Sequence, residues 1–252
     1  MNLLITIYNE AIYRPLLNGL VGIYALLPYP DLGLAIMALT VIVRLLLHPA
    51  LLRGARAQQA MSELQPQLRE IQGKFKDDRE EQARRTMALY REYGVSPLSG
   101  CLPILIQLPV LIGLYRVFWK GITLTDRSLL YSFLMSVHDF NPVALGLFNL
   151  TERSAALAIA AGVSQFFQAK SLPASPPAAG GDFQAMLKWQ TFYVFPLMIA
   201  VISWSLPSAL ALYWTVFNLL AIVQQRWIEQ RLQHGRYRRA NQRDSGEDGR
   251  PG

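Results

Sequence analysis

Hydrophobic and polar positions in this chain do not alternate at the spacing of a soluble helix or strand. The apolar residues collect into five blocks: Leu32 to about Leu52, Leu102 to about Ile122, Ser154 to Leu172, Thr191 to Leu206, and Ser208 to about Ile228. Each holds roughly 15–21 residues, about what a ~30 Å hydrocarbon core requires at ~1.5 Å per helical residue. The pattern predicts an all-α, polytopic membrane protein with five transmembrane helices. Strands do not produce apolar runs this long. Only Pro207 separates the last two blocks, which predicts a tight helical hairpin. Ser164, Gln165 and Gln168 make the second half of the third block polar.

Between the first two blocks a different period takes over. Ala57, Met61, Leu64, Leu68, Ile71 and Phe75 recur at alternating four- and three-residue steps, an apolar stripe down one face of a helix. After Gly73 and Asp77-Asp78 the period resumes at Ala83, Met87 and Tyr90. Two amphipathic helices folded back as a hairpin over 53–100 fit this spacing. Pro66 kinks or restarts the first, because it has no N–H for the carbonyl four residues earlier. Self-packing alone would satisfy the stripe, so the pattern does not by itself announce a docking surface.

At the start of the chain, Leu3, Ile7, Leu16, Leu17 and Leu20 line one helical face, with Asn9, Glu10 and Arg14 interrupting. Residues 1–30 read as an amphipathic helix lying at the membrane interface, ended by Pro28 and Pro30. A sixth spanning helix is the alternative. The basic start and small-residue cleavage site of a secretory signal are missing. The tail 229–252 begins as a basic helix and ends in a Gly-, Asp- and Arg-rich stretch with the composition of disorder.

Charge sets the orientation. The 252 residues are 52% hydrophobic and 16% charged, with a net charge of +7. Eighteen Lys/Arg fall in 51–100, 169–190 and the tail from Arg226, all on one side of a five-span arrangement, against five on the other. The excess predicts an outside N-terminus and a cytoplasmic C-terminus. One cysteine, Cys101, excludes a disulfide framework, and His48, His138 and His234 are too far apart to suggest a metal. No cofactor is expected.

Candidate chemistry enters with Arg44, inside the apolar stretch TVIVRLLLHP. It lies twelve residues beyond Leu32, about 18 Å from the outer edge, and nine before Arg53, about 13 Å from the inner one. An arginine near a helix centre costs about 2.5–3.5 kcal/mol on insertion scales, and snorkelling recovers only part. No span holds an internal Asp or Glu to pair with it. The spans supply uncharged polar groups instead, among them Gln107, Gln165, Ser203, Thr215, Asn218, Gln224 and Gln225. Singly, each reads as an interhelical hydrogen bond. Together with an unpaired arginine they predict a wet, positively charged pocket about halfway through the bilayer, and Pro49, which frees the Leu45 carbonyl, fits such a place.

These residues carry a resemblance. VIVRLLLHP, LQPQLREIQGKFKDD, GVSPLSGCLPILIQLPVLIGLYRVF, AGVSQFFQ and FPLMIAVISWSLPSALALYWTVFNLLAIVQQ run from about 41 to 225. In that order they resemble the YidC/Oxa1/Alb3 family of membrane protein insertases, in a compact five-span form without the large periplasmic domain. The resemblance implies a multi-pass protein of the bacterial plasma membrane. Its arginine, matched by Arg44, sits in a hydrophilic groove open to cytoplasm and lipid, where nascent membrane proteins with short translocated tails enter before sliding into the bilayer. Gln107, Gln165, Trp214 and Asn218 are the implied groove companions. The hairpin, through Met61, Leu64, Leu68, Ile71, Phe75 and Met87, is the implied client receiver. Membrane lipids, the ribosome (through the basic tail) and the Sec translocon are the implied partners. Burial of the client helix, at ~0.8 kcal/mol per CH₂, would drive the reaction; no G-x-x-x-x-G-K-[ST] is present.

Two other classes compete. An intramembrane serine protease needs a G-x-S-G nucleophile, which this chain lacks. A small anion transporter or channel subunit using Arg44 would be expected to carry internal repeats, and none is visible between the spans.

Overall fold

The computed structural model describes residues 2–96, 102–121, 129–135, 141–172, 186 and 188–247. Helices α1 (Asn2–Tyr8) and α2 (Arg14–Leu26) are joined by a π-turn at Asn9–Tyr13. Then come α3 (Leu32–Glu63), α4 (Gln65–Lys74), α5 (Arg79–Glu92), and α6 (Leu102–Arg116), which ends in a π-turn at Val117–Gly121. A short antiparallel hairpin, β1 (Val143–Ala144) and β2 (Phe148–Asn149), precedes α7 (Ala155–Ser171). A π-turn at Gln190–Val194 leads into α8 (Phe195–Ser205), and α9 (Ser208–Glu247) closes the chain.

Two of the expected spans are long and apolar enough to cross a bilayer unaided: Leu32–Glu63, and Ser208–Arg231 within α9. The 17 residues of α7 rise about 26 Å, short of ~30 Å. α3 runs unbroken past Pro49 to Glu63, so the first expected span and the first arm of the helical hairpin are one continuous helix. Once a helix is nucleated, each added residue costs little, and a polar continuation propagates. The same reason accounts for α9, which continues as helix to Glu247, into the stretch with the composition of disorder. The restart expected at Pro66 is found: α4 begins at Gln65, with the proline in its first turn, where no N–H is needed.

Polar caps fix one end of the bundle. The Asp31 carboxylate accepts from the Leu34 N–H at 2.8 Å to cap α3, and also from the Leu145 N–H in the three-residue β1–β2 loop. Leu145 and Gly146 both have positive φ, 52° and 69°, and the Leu147 N–H donates to the Ala144 carbonyl at 2.9 Å to close the turn. Ser208 N–H donates to the Glu152 carbonyl at 2.8 Å and Ala209 N–H to Leu150 at 3.1 Å, so the end of the β1–β2 hairpin satisfies the first turn of α9. Gly33 lets that hairpin lie against α3: a Cβ there would sit 2.5 Å from Ala144 Cβ and 3.3 Å from its Cα. Gly33→Ala is therefore expected to cost about 1–3 kcal/mol, read as a lower Tm of the purified protein. Gly22→Ala, whose Cβ would meet only Leu134 methyls at 3.9 Å, is the control and should leave Tm unchanged.

One core joins α2, α3, α6, α7, α8 and α9, centred on Leu20, Val21, Leu32, Ile36, Leu114 and Ile199. The leucine face of the N-terminal segment divides. Leu16, Leu17 and Leu20 are buried on protein, while Leu3 and Ile7 remain exposed. Docking is held by Asn18, which donates to the Leu129 carbonyl at 2.9 Å, and by Arg116, which donates to Asn9 Oδ1 at 2.8 Å with its guanidinium over Tyr13. A second, separate core fills the α3–α5 helical hairpin: Met61, Leu64, Leu68 and Tyr90. Asp78 caps α5 there, and the Glu81 carboxylate is forked by Arg84 and Arg85 at 2.7 Å each.

Candidate functional site

Position 44 falls on the face of α3 turned toward α9. The Arg44 guanidinium lies over the ring of Phe217, 4.4 Å from its centroid. Its Nε and Nη1 are buried and have no hydrogen-bond partner among the described residues. The cation therefore keeps the ring's quadrupole, worth about 0.5–2 kcal/mol, but not the hydrogen bonds that a buried charge ordinarily needs.

The chamber around it is small, about 10 Å³, room for roughly one water molecule. Thr40, Val43 and Leu47 of α3 line it, with Gln107 of α6 and Tyr213 and Phe217 of α9. Thr40 is spent on its own helix, donating to the Ile36 carbonyl at 2.6 Å. Gln107 Nε2 donates to the Tyr213 hydroxyl at 2.5 Å, which ties α6 to α9 beside the arginine. Tyr213 is almost wholly buried, its ring tilted on Phe217 at 5.9 Å and on Phe118 at 6.4 Å.

Of the residues that sequence reading grouped here, the structure brings Arg44 and Gln107 together. The other three face elsewhere. Asn218 is buried on the α7 side, donating to Ser164 Oγ at 3.1 Å. Gln165 donates to Gln168 on its own helix at 3.2 Å. Trp214 is half-buried against the main core. Helical geometry explains the division, since each residue turns the helix by about 100°. Tyr213 and Phe217, four apart, share the face toward α3 and α6, and Trp214 and Asn218 share the next. That i, i+4 aromatic pair was the available signal for the two residues missed.

One turn further along α3, the polar track continues. Gln224 Nε2 lies 2.7 Å from His48 Nδ1, and the His48 ring meets Trp227 edge-on at 5.5 Å. Arg231 in turn stands over Trp227 at 3.9 Å. Like Arg44, Gln224 keeps a buried polar atom, Oε1, without a partner among the described residues. A lone histidine and a glutamine 176 residues away gave no hint of this pairing in the sequence.

In the α3–α5 helical hairpin the apolar stripe closes on itself. Met61, Leu64 and Leu68 are buried, Ile71 and Phe75 are half-buried, and Met87 is 44% exposed. Tyr90 takes the inward position on α5.

Residues 23–235 match the family described as the 60Kd inner membrane protein, the YidC/Oxa1 family. The chain belongs to this family. A membrane protein insertase YidC of Fusobacterium nucleatum is 35% identical over 198 residues, covering 79% of this chain and 86% of the relative. The membrane protein insertase MisCA of Bacillus subtilis is 35% identical over 214 residues, covering 82% and 74%. A membrane protein insertase YidC of Leptospira interrogans is 33% identical over 238 residues, which is 89% of this chain but 35% of that longer relative. The matched region contains Arg44, α4, α5 and α6 to α8, and α9 as far as residue 235.

Proposed function

We propose that this chain is a membrane protein insertase that receives nascent membrane proteins at the cytoplasmic side and releases them into the lipid of the cell membrane without nucleotide hydrolysis. The observation that carries the reading is the Arg44 guanidinium, buried with two nitrogens unsatisfied. Its hydrogen-bonding capacity is held in reserve, and an acidic or polar segment of a client uses it transiently. Entry displaces the Phe217 ring or parts α3 from α6, because the resting chamber holds about one water. Gln107 and Tyr213 then supply further polar groups along the path; Asn218, Gln165 and Trp214 join the same groove once it is open toward α7.

In the proposed arrangement the core 31–228 has five spans, at 32–52, 102–122, 154–172, 191–206 and 208–228. Residues 1–30 lie at the outer interface, and exposed Leu3, Ile5 and Ile7 support this. The hairpin 53–100 and the tail 229–252 lie in the cytoplasm, where their fifteen Lys/Arg favour them. The short α7 supports a locally thinned bilayer, since a span below the hydrocarbon thickness draws the lipid in. Thinning shortens the apolar path for a client's translocated end, and the membrane potential contributes about 2.3 kcal/mol per acidic charge per 100 mV. The hairpin receives clients at Met87 and, on loosening, along Met61, Leu64, Leu68, Ile71 and Phe75. The basic tail contacts the ribosome, and the Sec translocon is a candidate neighbour.

Depletion of the protein is expected to strand single-span clients with short acidic outer tails. A photoreactive residue at position 44 should crosslink to a ribosome-bound, stalled client of that kind. Normal insertion of those clients with loss of an anion flux would favour the transporter reading instead.

A further inference from the structure

A cavity much larger than the Arg44 chamber lies elsewhere in the bundle. It is a cleft of about 660 Å³ between α7 and α9, within the range of sites that hold small ligands. Its floor and walls are mostly apolar: Ala160, Val163 and Phe167 from α7, Leu219 and Ile222 from α9, with Ser164 and Thr215 among them, whose hydroxyls donate to the Ala161 and Ala211 carbonyls of their own helices. Val163, Phe167 and Leu219 are more than half exposed, so the cleft opens sideways rather than into the core. Its chemistry changes at one end. There Lys170, in the last turn of α7, and Arg226 line the mouth with the Ser171 hydroxyl and the Glu229 carboxylate. Arg226 lies eighteen residues after Ser208, about 27 Å along the helix, at the level of the inner headgroups.

The two cations are not consumed within the protein. Neither forms an ion pair with another described residue; Lys170 Nζ rests over the Phe166 ring at 4.4 Å. Glu229 is engaged locally, accepting from Gln225 Nε2 at 3.1 Å. An apolar trough parallel to the membrane normal, open to the side and cationic only at its inner end, has the polarity profile of one molecule: a phospholipid of the inner leaflet with an anionic headgroup. A zwitterionic lipid would fill the trough equally but would gain less from the mouth, because its own ammonium opposes Lys170 and Arg226.

We propose that the α7–α9 cleft binds an anionic phospholipid from the inner leaflet, its acyl chain along Val163, Phe167, Leu219 and Ile222 and its phosphate between Lys170 and Arg226. The lipid wedges α7 against α9 where their contact is open. This site is separate from the Arg44 chamber and rests only on the membrane placement of α7 and α9, not on client insertion.

The test uses the full-length protein in nanodiscs of equal phosphatidylglycerol and phosphatidylcholine, released into a native mass spectrometer and scored for the lipid retained. The wild type should retain phosphatidylglycerol preferentially. The double variant Lys170→Gln/Arg226→Gln should lose roughly ten- to thirtyfold of that preference, about fivefold for each cation near an anionic surface. Glu229→Gln, which removes the opposing charge, should strengthen it. A photoreactive residue at position 219 should give lipid adducts. A wild type without preference, a double variant that keeps the full preference, or adducts at 219 to a second copy or a client polypeptide would each overturn the proposal. Carbonate extraction of the same variants reads membrane placement independently.

Discussion

Arg44→Met should abolish most insertion while leaving the protein as stable as before, or more so. Methionine fills much of the arginine volume and packs on Phe217 without carrying a charge that lacks hydrogen bonds. Replacing buried charges by apolar groups of similar shape is often neutral or stabilising, by up to about 4 kcal/mol. Function should move the other way. A hydrogen bond to a charged group contributes about 1.5–3 kcal/mol, so losing the client's contact with Arg44 predicts a drop of roughly ten- to a hundredfold in insertion rate. Arg44→Lys should fall between, since it keeps the charge and loses the planar fork. The measurements are Tm of the purified protein and insertion into proteoliposomes of a single-span client with an acidic tail. Equal loss in the Lys and Met variants would count against a role for charge, and a marked fall in Tm for Met would mean that Arg44 holds the bundle together.

The second large effect is expected in the hairpin. Leu68 is fully buried in a cluster of only four buried side chains, which shares no residue with the core of the bundle. Leu68→Ala should cost about 2–5 kcal/mol there, enough to open so small a unit. Local opening is the expected form: hydrogen exchange should accelerate across 57–93 and proteolysis should cut near Gly73, while α7 and α9 stay protected. If the hairpin receives clients on its inner face, this variant should capture them earlier and release them less well. Exchange that rises equally throughout the bundle would show that the two cores are coupled, against the separation described above.

Much of this was legible before folding. Block length and apolarity determined the helical membrane class, because a bilayer demands a run of fixed length whatever its neighbours are. Residues 97–101, around Cys101, lie outside the described residues, as does His138, so their readings stay at the level of sequence. The unpaired state of Arg44 was also a matter of inventory: a chain with no internal carboxylate in its spans offers no ion-pair partner at that depth, wherever the helices pack.

What the tertiary structure decided was direction. Periodicity says which residues share a face, but not which neighbour that face meets. So Gln107 reached the arginine through a tyrosine that the sequence had not singled out, and Asn218 turned to Ser164 instead. The stripe from Met61 to Leu68 was plain, yet only packing against Tyr90 turned it inward. The β1–β2 hairpin over Gly33 and the meeting of His48 with Gln224 depend on contacts between residues more than a hundred positions apart. Local pattern carries no record of such contacts, because they arise from which surfaces fit once the helices are assembled.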